Sequence, residues 1–221
     1  MLRIHGRFAG GFSWQPGARD FLERSSTALA ADGRVWLIDP QRARGVEDQL
    51  AALGNVAAVV MTIGWHDRDV DWFAALYGVP VYAHASLRLI GVRSPVQRVE
   101  GRMPDSPLEV VTCSGRGLLR WWTETAIWWP ETRTLVTGDA IGTGAYFAPP
   151  GREVAVHPLR RFSPPIELHD LPAERLHPGH GPSVTSGAAP QIRQALGRAR
   201  QDLAAAWMHS IGSAFRYYTR R

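Results

Sequence analysis

Lysine is absent from this chain: all 25 basic residues are arginine. They outnumber 20 acidic residues and give a net charge of +5. Such basicity raises the expectation of nucleic acid or an anionic surface as partner. The acidic residues are interspersed throughout, however, and no motif alternates aromatic with basic residues, so nucleic acid is not the expected partner. Cysteine is almost absent too. Cys113 alone builds neither an internal disulfide nor a cysteine metal cage. No apolar run is long enough to span a bilayer. The first twenty residues contain no continuous apolar stretch of the secretory kind, so a cytoplasmic location is the expectation. Histidine is missing between His84 and His157, a gap that bears on the chemistry below.

What is present has the usage of an ordinary globular protein, 45% hydrophobic and 20% charged over 221 residues. That length predicts one domain over 1–221, with a C-terminal helix and basic tail from 190 to 221 packed on it. Ser26–Ala30 and Arg34–Ile38 read as strands joined by the hairpin signal Asp32-Gly33. Val46–Leu53 has helical spacing. Val56–Met61 is a continuous apolar run, as in a strand buried on both faces. Val70–Tyr77 reads as a helix with Asp69 as N-cap and Gly78 as its stop, followed by a strand over Val79–Ala83. Further strands are predicted over Leu108–Cys113, Thr125–Trp129 and Thr134–Val136. Residues 142 to 170 read as a long surface loop, 176 to 183 as a short strand and turn, and Pro190 to about His209 as a helix. In that helix Ile192, Ala195, Leu196, Ala199, Leu203, Ala206 and Trp207 share one face. The basic end FRYYTRR is expected to fray. The order is that of an α/β (α+β) layer fold.

Three polar turns each follow an apolar strand: Thr62 to Arg68, Gly138-Asp139, and His177 to Pro182. In layered α/β folds, sites form from loops at one end of several strands. His66, Asp67, Arg68, Asp139 and His180 are therefore the candidate site residues. Gly138, Gly179 and Gly181 let the backbone pass close to whatever lies there. Each candidate has a plainer role available. Asp67 can serve a helix dipole, Asp139 can shape a turn, and His66 or His180 can sit at the surface. His84 and His177 are expected to be structural or exposed. The tryptophan pairs 121–122 and 128–129 flank one strand and should place rings on both faces of a sheet.

The segments SSTALAADGRVWLIDP, the strand-turn-helix around Thr62, TLVTGDA and HPGHGP resemble, in order and spacing, the metallo-β-lactamase fold superfamily, over nearly the whole chain. The resemblance implies an αββα sandwich of two mixed sheets with outer helices and a site along one edge. It also implies a first motif Thr-His-x-His-x-Asp-His that supplies ligands to two metals. Laid without gaps from Thr62, that motif finds Ile63 and Trp65 at its first two His positions, Asp67 at its Asp, and Arg68 at its last His. His66 falls on a non-ligand position. A further family histidine is replaced by Arg116 or Arg120, while Asp139 and His180 are kept.

The expectation is a hydrolase-like pseudoenzyme with a degenerate centre, metal-free and binding a small, anionic molecule. Arg68 and either Arg116 or Arg120 would pair with the aspartates, and Ile63 and Trp65 would fill the vacated volume. The alternative is a one-metal hydrolase of an ester, thioester or similar bond, in which Asp67, Asp139 and His180 hold one divalent ion and His66 acts as acid or base.

Overall fold

The computed structural model describes residues 2–17 and 20–219. Thirteen strands run in chain order: β1 (Arg3–Phe8), β2 (Gly11–Gln15), β3 (Ser26–Ala31), β4 (Arg34–Ile38), β5 (Asn55–Met61), β6 (Val81–His84), β7 (Val96–Val99), β8 (Glu109–Ser114), β9 (Thr123–Trp129), β10 (Thr134–Thr137), β11 (Ile141–Gly142), β12 (Ala155–Val156) and β13 (Arg175–Pro178). Four helices accompany them: α1 (Val46–Ala51), α2 (Val70–Tyr77), α3 (Ala188–Arg198) and α4 (Leu203–Thr219). No helix among the described residues is long and apolar enough to cross a membrane.

Strands β1 to β7 form one sheet in sequence order, antiparallel through β4 and parallel from β4 to β7. A second mixed sheet has the order β13-β10-β9-β8, with β10 and β13 parallel. The period-two alternation of strand side chains sorts the apolar residues into layers. Val35, Leu37, Val59 and Met61 point outward, to Val46, Leu50, Val70 and Phe73 of α1 and α2. Their neighbours Trp36, Ile38, Ala58 and Val60 point inward, to Val110, Ile127, Trp129 and Val136 of the second sheet. The outer face of that sheet, with Cys113, Trp128, Leu135 and Leu176, meets Ile192, Ala195 and Leu196 of α3. Helix, sheet, sheet, helix is the αββα arrangement. The consecutive Trp128 and Trp129 are both buried, one on each face of β9. Burying an indole removes about 200 Å² from water, on the order of 4–5 kcal/mol before entropy is subtracted.

Several boundaries differ from the sequence expectation. β1 and β7 have no strong apolar alternation and are decided by tertiary pairing, whereas β2 does alternate, with Phe12 and Trp14 on the core face, and was not expected. Residues 142 to 170 carry the two-stranded β11–β12 ribbon and two 3-10 turns. The helix expected over 190–209 begins earlier, at Ala188, and is interrupted between Arg198 and Leu203. Ile192, Ala195, Leu196, Ala199 and Ala206 are buried as expected, but Trp207 is 40% exposed. Of the basic end, residues 215 to 219 continue α4, while Arg220 and Arg221 lie outside the described residues. Asp69 does precede α2, yet its side chain makes no cap bond. It accepts instead from the backbone N–H (2.8 Å) and Nε (2.9 Å) of Arg42.

The C-terminal ends of β4, β5, β10 and β13 lie at one edge of the sandwich. Each releases a polar residue there: Asp39, Thr62, Asp139 and His180.

Candidate functional site

Two close approaches at the site edge depend on glycine: between the sheets, a Cβ at Gly138 would stand 2.5 Å from Thr62 Oγ1. A Cβ at Gly179 would stand 2.7 Å from the carbonyl oxygen of Gly138. Nothing larger fits between the turns after β10 and β13. This approach brings His180 against Asp139, with Nε2 and Oδ1 2.8 Å apart. From the other sheet, His66 Nε2 reaches the same oxygen at 3.1 Å. The other nitrogen of each ring is anchored. His66 Nδ1 lies 2.8 Å from Asp39 Oδ2, and His180 Nδ1 lies 2.8 Å from the carbonyl oxygen of Leu22. Asp39 is held in turn by the backbone N–H of Thr62, at 2.9 Å, and by the Thr62 hydroxyl. The second Asp139 oxygen accepts from the Trp65 indole N–H at 2.8 Å. Asp39, His66, Asp139 and His180 are all buried, Asp139 the most exposed of them at 7%.

The charges are mutually dependent. Burial pushes the Asp139 carboxyl up, but the charge of His66 and the hydrogen bonds of both imidazoles outweigh it and hold the group well below the usual carboxylate range. Burial and the Arg68 charge push His66 down, yet Asp139 and Asp39 outweigh them and raise it. Two neighbours stay neutral. Burial, then the Asp139 charge, pushes Glu124 up to about 8. Its Oε2 accepts from the Trp122 indole (3.2 Å) and the Asp139 N–H (3.3 Å). Burial pushes His157 down to about 4.

The expected site residues are placed unequally. His66, Asp139 and His180 come together, with ligand atoms within 4.8 Å of one another. Asp67 does not join them. It is exposed, and its Oδ1 accepts the Arg68 N–H at 2.9 Å. Arg68 is at the centre but makes no direct carboxylate pair. Its guanidinium donates to the backbone carbonyls of Ser25 (2.5 Å), Asp39 (3.0 Å) and Gly179 (3.2 Å), and Nη2 lies 3.4 Å from His66 Nε2. Neither Arg116 nor Arg120 takes the place of the missing histidine. Both are exposed, and Arg116 pairs with Glu167 at 3.2 Å. Ile63 is fully buried as expected, and Trp65 packs against Trp121 and Trp122. Sequence reasoning missed Asp39, Glu124 and His157. Asp39 carried one available signal: it ends a strand next to the strand that leads into the Thr62 turn.

The reason for the shift from Asp67 to His66 lies in the backbone. Arg68 has φ +33°, a left-handed conformation that L residues with long side chains rarely adopt. The turn is wound so that position 66 faces inward and position 67 faces water. A cavity of about 220 Å³ opens over the cluster, lined by Leu22, Arg24, Trp65, Tyr146, Phe147 and His157 in addition to the charged residues.

Comparison with known proteins matches this architecture. No family model matches the sequence, and no curated protein does. Solved structures do match. TMB-1 superposes with a TM-score of 0.64 at 16% identity, over 90% of this chain and 98% of that one. The metallo-β-lactamase FIM-1 from Pseudomonas aeruginosa, in its mono-zinc form, gives 0.62 at 12% identity over 91% and 96%. A metallo-β-lactamase from Erythrobacter litoralis gives 0.60 at 15% over 90% and 96%. The chain thus has the metallo-β-lactamase fold, carrying at its site edge a reduced His-Asp-His set in place of the two-metal ligand set that the sequence resemblance implies.

Proposed function

We propose that this protein binds a small organic anion at the His66–Asp139–His180 centre, with the hydrolytic chemistry of its fold lost or altered. One observation carries the reading: His66 faces a carboxylate oxygen at both ring nitrogens. A neutral imidazole has one N–H and leaves a lone pair against one of those oxygens, whereas an imidazolium satisfies both. Arg68 and His66 thus stand against Asp39 and Asp139 as two charges against two, and the cluster balances without a metal ion. Above it, Arg24 bonds Asp20 through Nε at 2.7 Å, and its two terminal nitrogens are the donors offered to an anion at the cavity rim. Arg68 contributes as a permanent charge and as the brace of the three chain segments it bonds. In this reading Arg68 and His66 take the part first expected of two arginines.

A second reading has its own support. In both rings Nδ1 is anchored by an oxygen acceptor, which fixes the tautomer and aims Nε2 at Asp139, as for ligands of a metal. Two imidazoles and one carboxylate fit one divalent ion, not two. His66, Asp139 and His180 would hold it, and the Arg68 guanidinium beside His66 Nε2 opposes it. Such an ion supplies Lewis-acid polarisation and activation of water for ester or thioester hydrolysis.

Elemental analysis of protein purified without chelator or added metal separates the two, together with calorimetric titration of acetate. The anion reading expects less than a tenth of an equivalent of divalent metal, and acetate binding weakened about tenfold in Arg24→Gln, the loss of one charged hydrogen bond. A stoichiometric ion whose removal lowers the melting temperature establishes the one-ion centre instead.

A further inference from the structure

The 3-10 turn Leu159–Phe162 is inside out. Its two apolar side chains, Leu159 and Phe162, are exposed, and the two arginines between them are buried. Arg160 donates to the carbonyl oxygen of Trp122 at 3.4 Å, and Arg161 to that of Phe147 at 3.0 Å. Among the described residues, Arg160 Nε and Nη2 and Arg161 Nε meet no hydrogen-bond partner. Leaving donors of a buried cation unpartnered is unfavourable, and a surface turn could have sent both side chains into water. The arrangement keeps charge off the face where Leu159 and Phe162 stand. That face continues on α4. Leu159 lines one groove with Trp207 and Ile211. Met208 and Phe215 lie three residues before and four after Ile211, on the same stripe of the helix. Leu159 and Phe162 are themselves neighbours, three apart in a 3-10 turn. The six side chains form one uncharged apolar patch, each between 38% and 71% exposed. On the opposite side of α4, Ala206 is buried and the Ser210 hydroxyl donates to the Tyr146 carbonyl at 2.7 Å, so the helix is fixed with this stripe outward.

We infer that this patch is the interface of a homodimer, in which α4 packs against α4 of a second copy about a two-fold axis near Ile211. Size, symmetry and spacing name the occupant. At those exposures the six side chains present roughly 800 Å², which is what each partner contributes to a standard interface and more than the largest apolar patch of an ordinary monomer. Across a two-fold axis a patch meets itself, so any charge on it would face its own copy; an uncharged patch is self-complementary. The three- and four-residue steps through Met208, Ile211 and Phe215 are those by which paired helices interlock. The inverted turn argues against a lipid surface instead. A helix lying on anionic headgroups keeps arginines out among them, and here two adjacent arginines are turned away from the face. An interface of standard rather than obligate size dissociates on dilution, so each protomer folds by itself.

The test is sedimentation velocity of the intact protein over about a hundredfold range of concentration. The expected result is a species of twice the protomer mass at the upper end, giving way to the protomer on dilution. Ile211→Asp and Leu159→Asp, one on each element of the patch, should each weaken the dimer about tenfold or more, because symmetry sets every added charge near its own copy. Leu76→Asp places the same charge on an exposed apolar residue of α2 and should leave the dimer unchanged. Ile211→Cys keeps the test open should either patch variant fail to fold. The chain's own Cys113 is buried, so mild oxidation should link two copies through position 211 and nowhere else. A protein that stays monomeric at every concentration and does not cross-link in Ile211→Cys overturns the inference. A dimer that Ile211→Asp and Leu159→Asp leave intact places the interface elsewhere and overturns it too. A monomer that sediments with phosphatidylserine vesicles, and no longer does so as Ile211→Asp, assigns the patch to a lipid surface and overturns the homodimer.

Discussion

Arg68 is the residue on which the site edge turns. Its guanidinium ties Ser25, Asp39 and Gly179 together, three segments from two sheets. Burial works against its charge, and Asp39 and Asp139 oppose that effect. Removing it strands carbonyls and leaves two carboxylates facing the histidines alone. Arg68→Ala is therefore expected to lose about 2–4 kcal/mol, read as a shift of the urea midpoint at constant slope. Arg68→Lys should recover less than half, because one ammonium cannot span three carbonyls with a planar fork. A loss in Arg68→Ala below about 0.5 kcal/mol means the brace is wet and unimportant.

At the scale of elements, the two C-terminal helices differ in what they bury. α3 places Ile192, Ala195 and Leu196 into the layer beneath the second sheet. Its Ile192 is fully buried. Truncation there opens a cavity, and Ile192→Ala should cost about 2–5 kcal/mol. α4 keeps contact through Ala206 and Ser210 and exposes Ile211, Met208 and Phe215. Ile211→Ala should change stability by no more than about 0.5 kcal/mol. Comparing the two denaturation midpoints checks the contrast. Equal losses refute the view that α3 is a core element and α4 a surface one. The sequence periodicity ran unbroken through both helices because their apolar residues share a spacing. The break at Arg198 to Leu203 belongs to packing.

For the whole molecule, a buried polar network joins the N-terminal hairpin to the β13 edge. His177 Nδ1 lies 2.7 Å from Ser13 Oγ and 3.0 Å from Ser183 Oγ, and His5 Nδ1 lies 3.0 Å from Ser183 Oγ. Burial holds both imidazoles neutral, pushing His177 to about 3 and His5 to about 4. The unfolded chain takes up protons on these groups near pH 6.5, and the folded chain does not until lower pH. The folded state therefore binds fewer protons between about pH 6.5 and 4, and stability falls as pH drops through that window. Above pH 6.5 these two groups contribute no pH dependence. Melting temperatures from pH 7.5 to 4.5 should show this fall, and His177→Gln should flatten it. An unchanged slope in that variant removes the network as its cause.

Much of the fold was legible in local signals. The hairpin at Asp32-Gly33, the apolar run of β5, the helix from Val70 to Gly78 and the two-faced tryptophan pair at 128–129 depend on period and turn chemistry. Those act over a few residues and leave their mark in any window of the sequence. The site was legible as a set of three turns, with Asp139 and His180 named correctly as neighbours. What the sequence could not determine was which residue of the first turn faces them. His66, Asp67 and Arg68 are consecutive, and a gap-free reading of the motif pointed Asp67 inward. The direction of each side chain depends on the backbone winding at Arg68, where φ is +33°. That winding is set by carbonyls of Ser25, Asp39 and Gly179, up to 111 residues away in sequence. Asp39 was hidden for the same reason. Alone it reads as a strand end, and only the parallel pairing of β4 with β5 sets its carboxylate under Thr62 and His66. Local propensities determined the elements. The meeting of two sheet edges, possible because Gly138 has no side chain to hold the second sheet away from Thr62 of the first, decided the charge cluster.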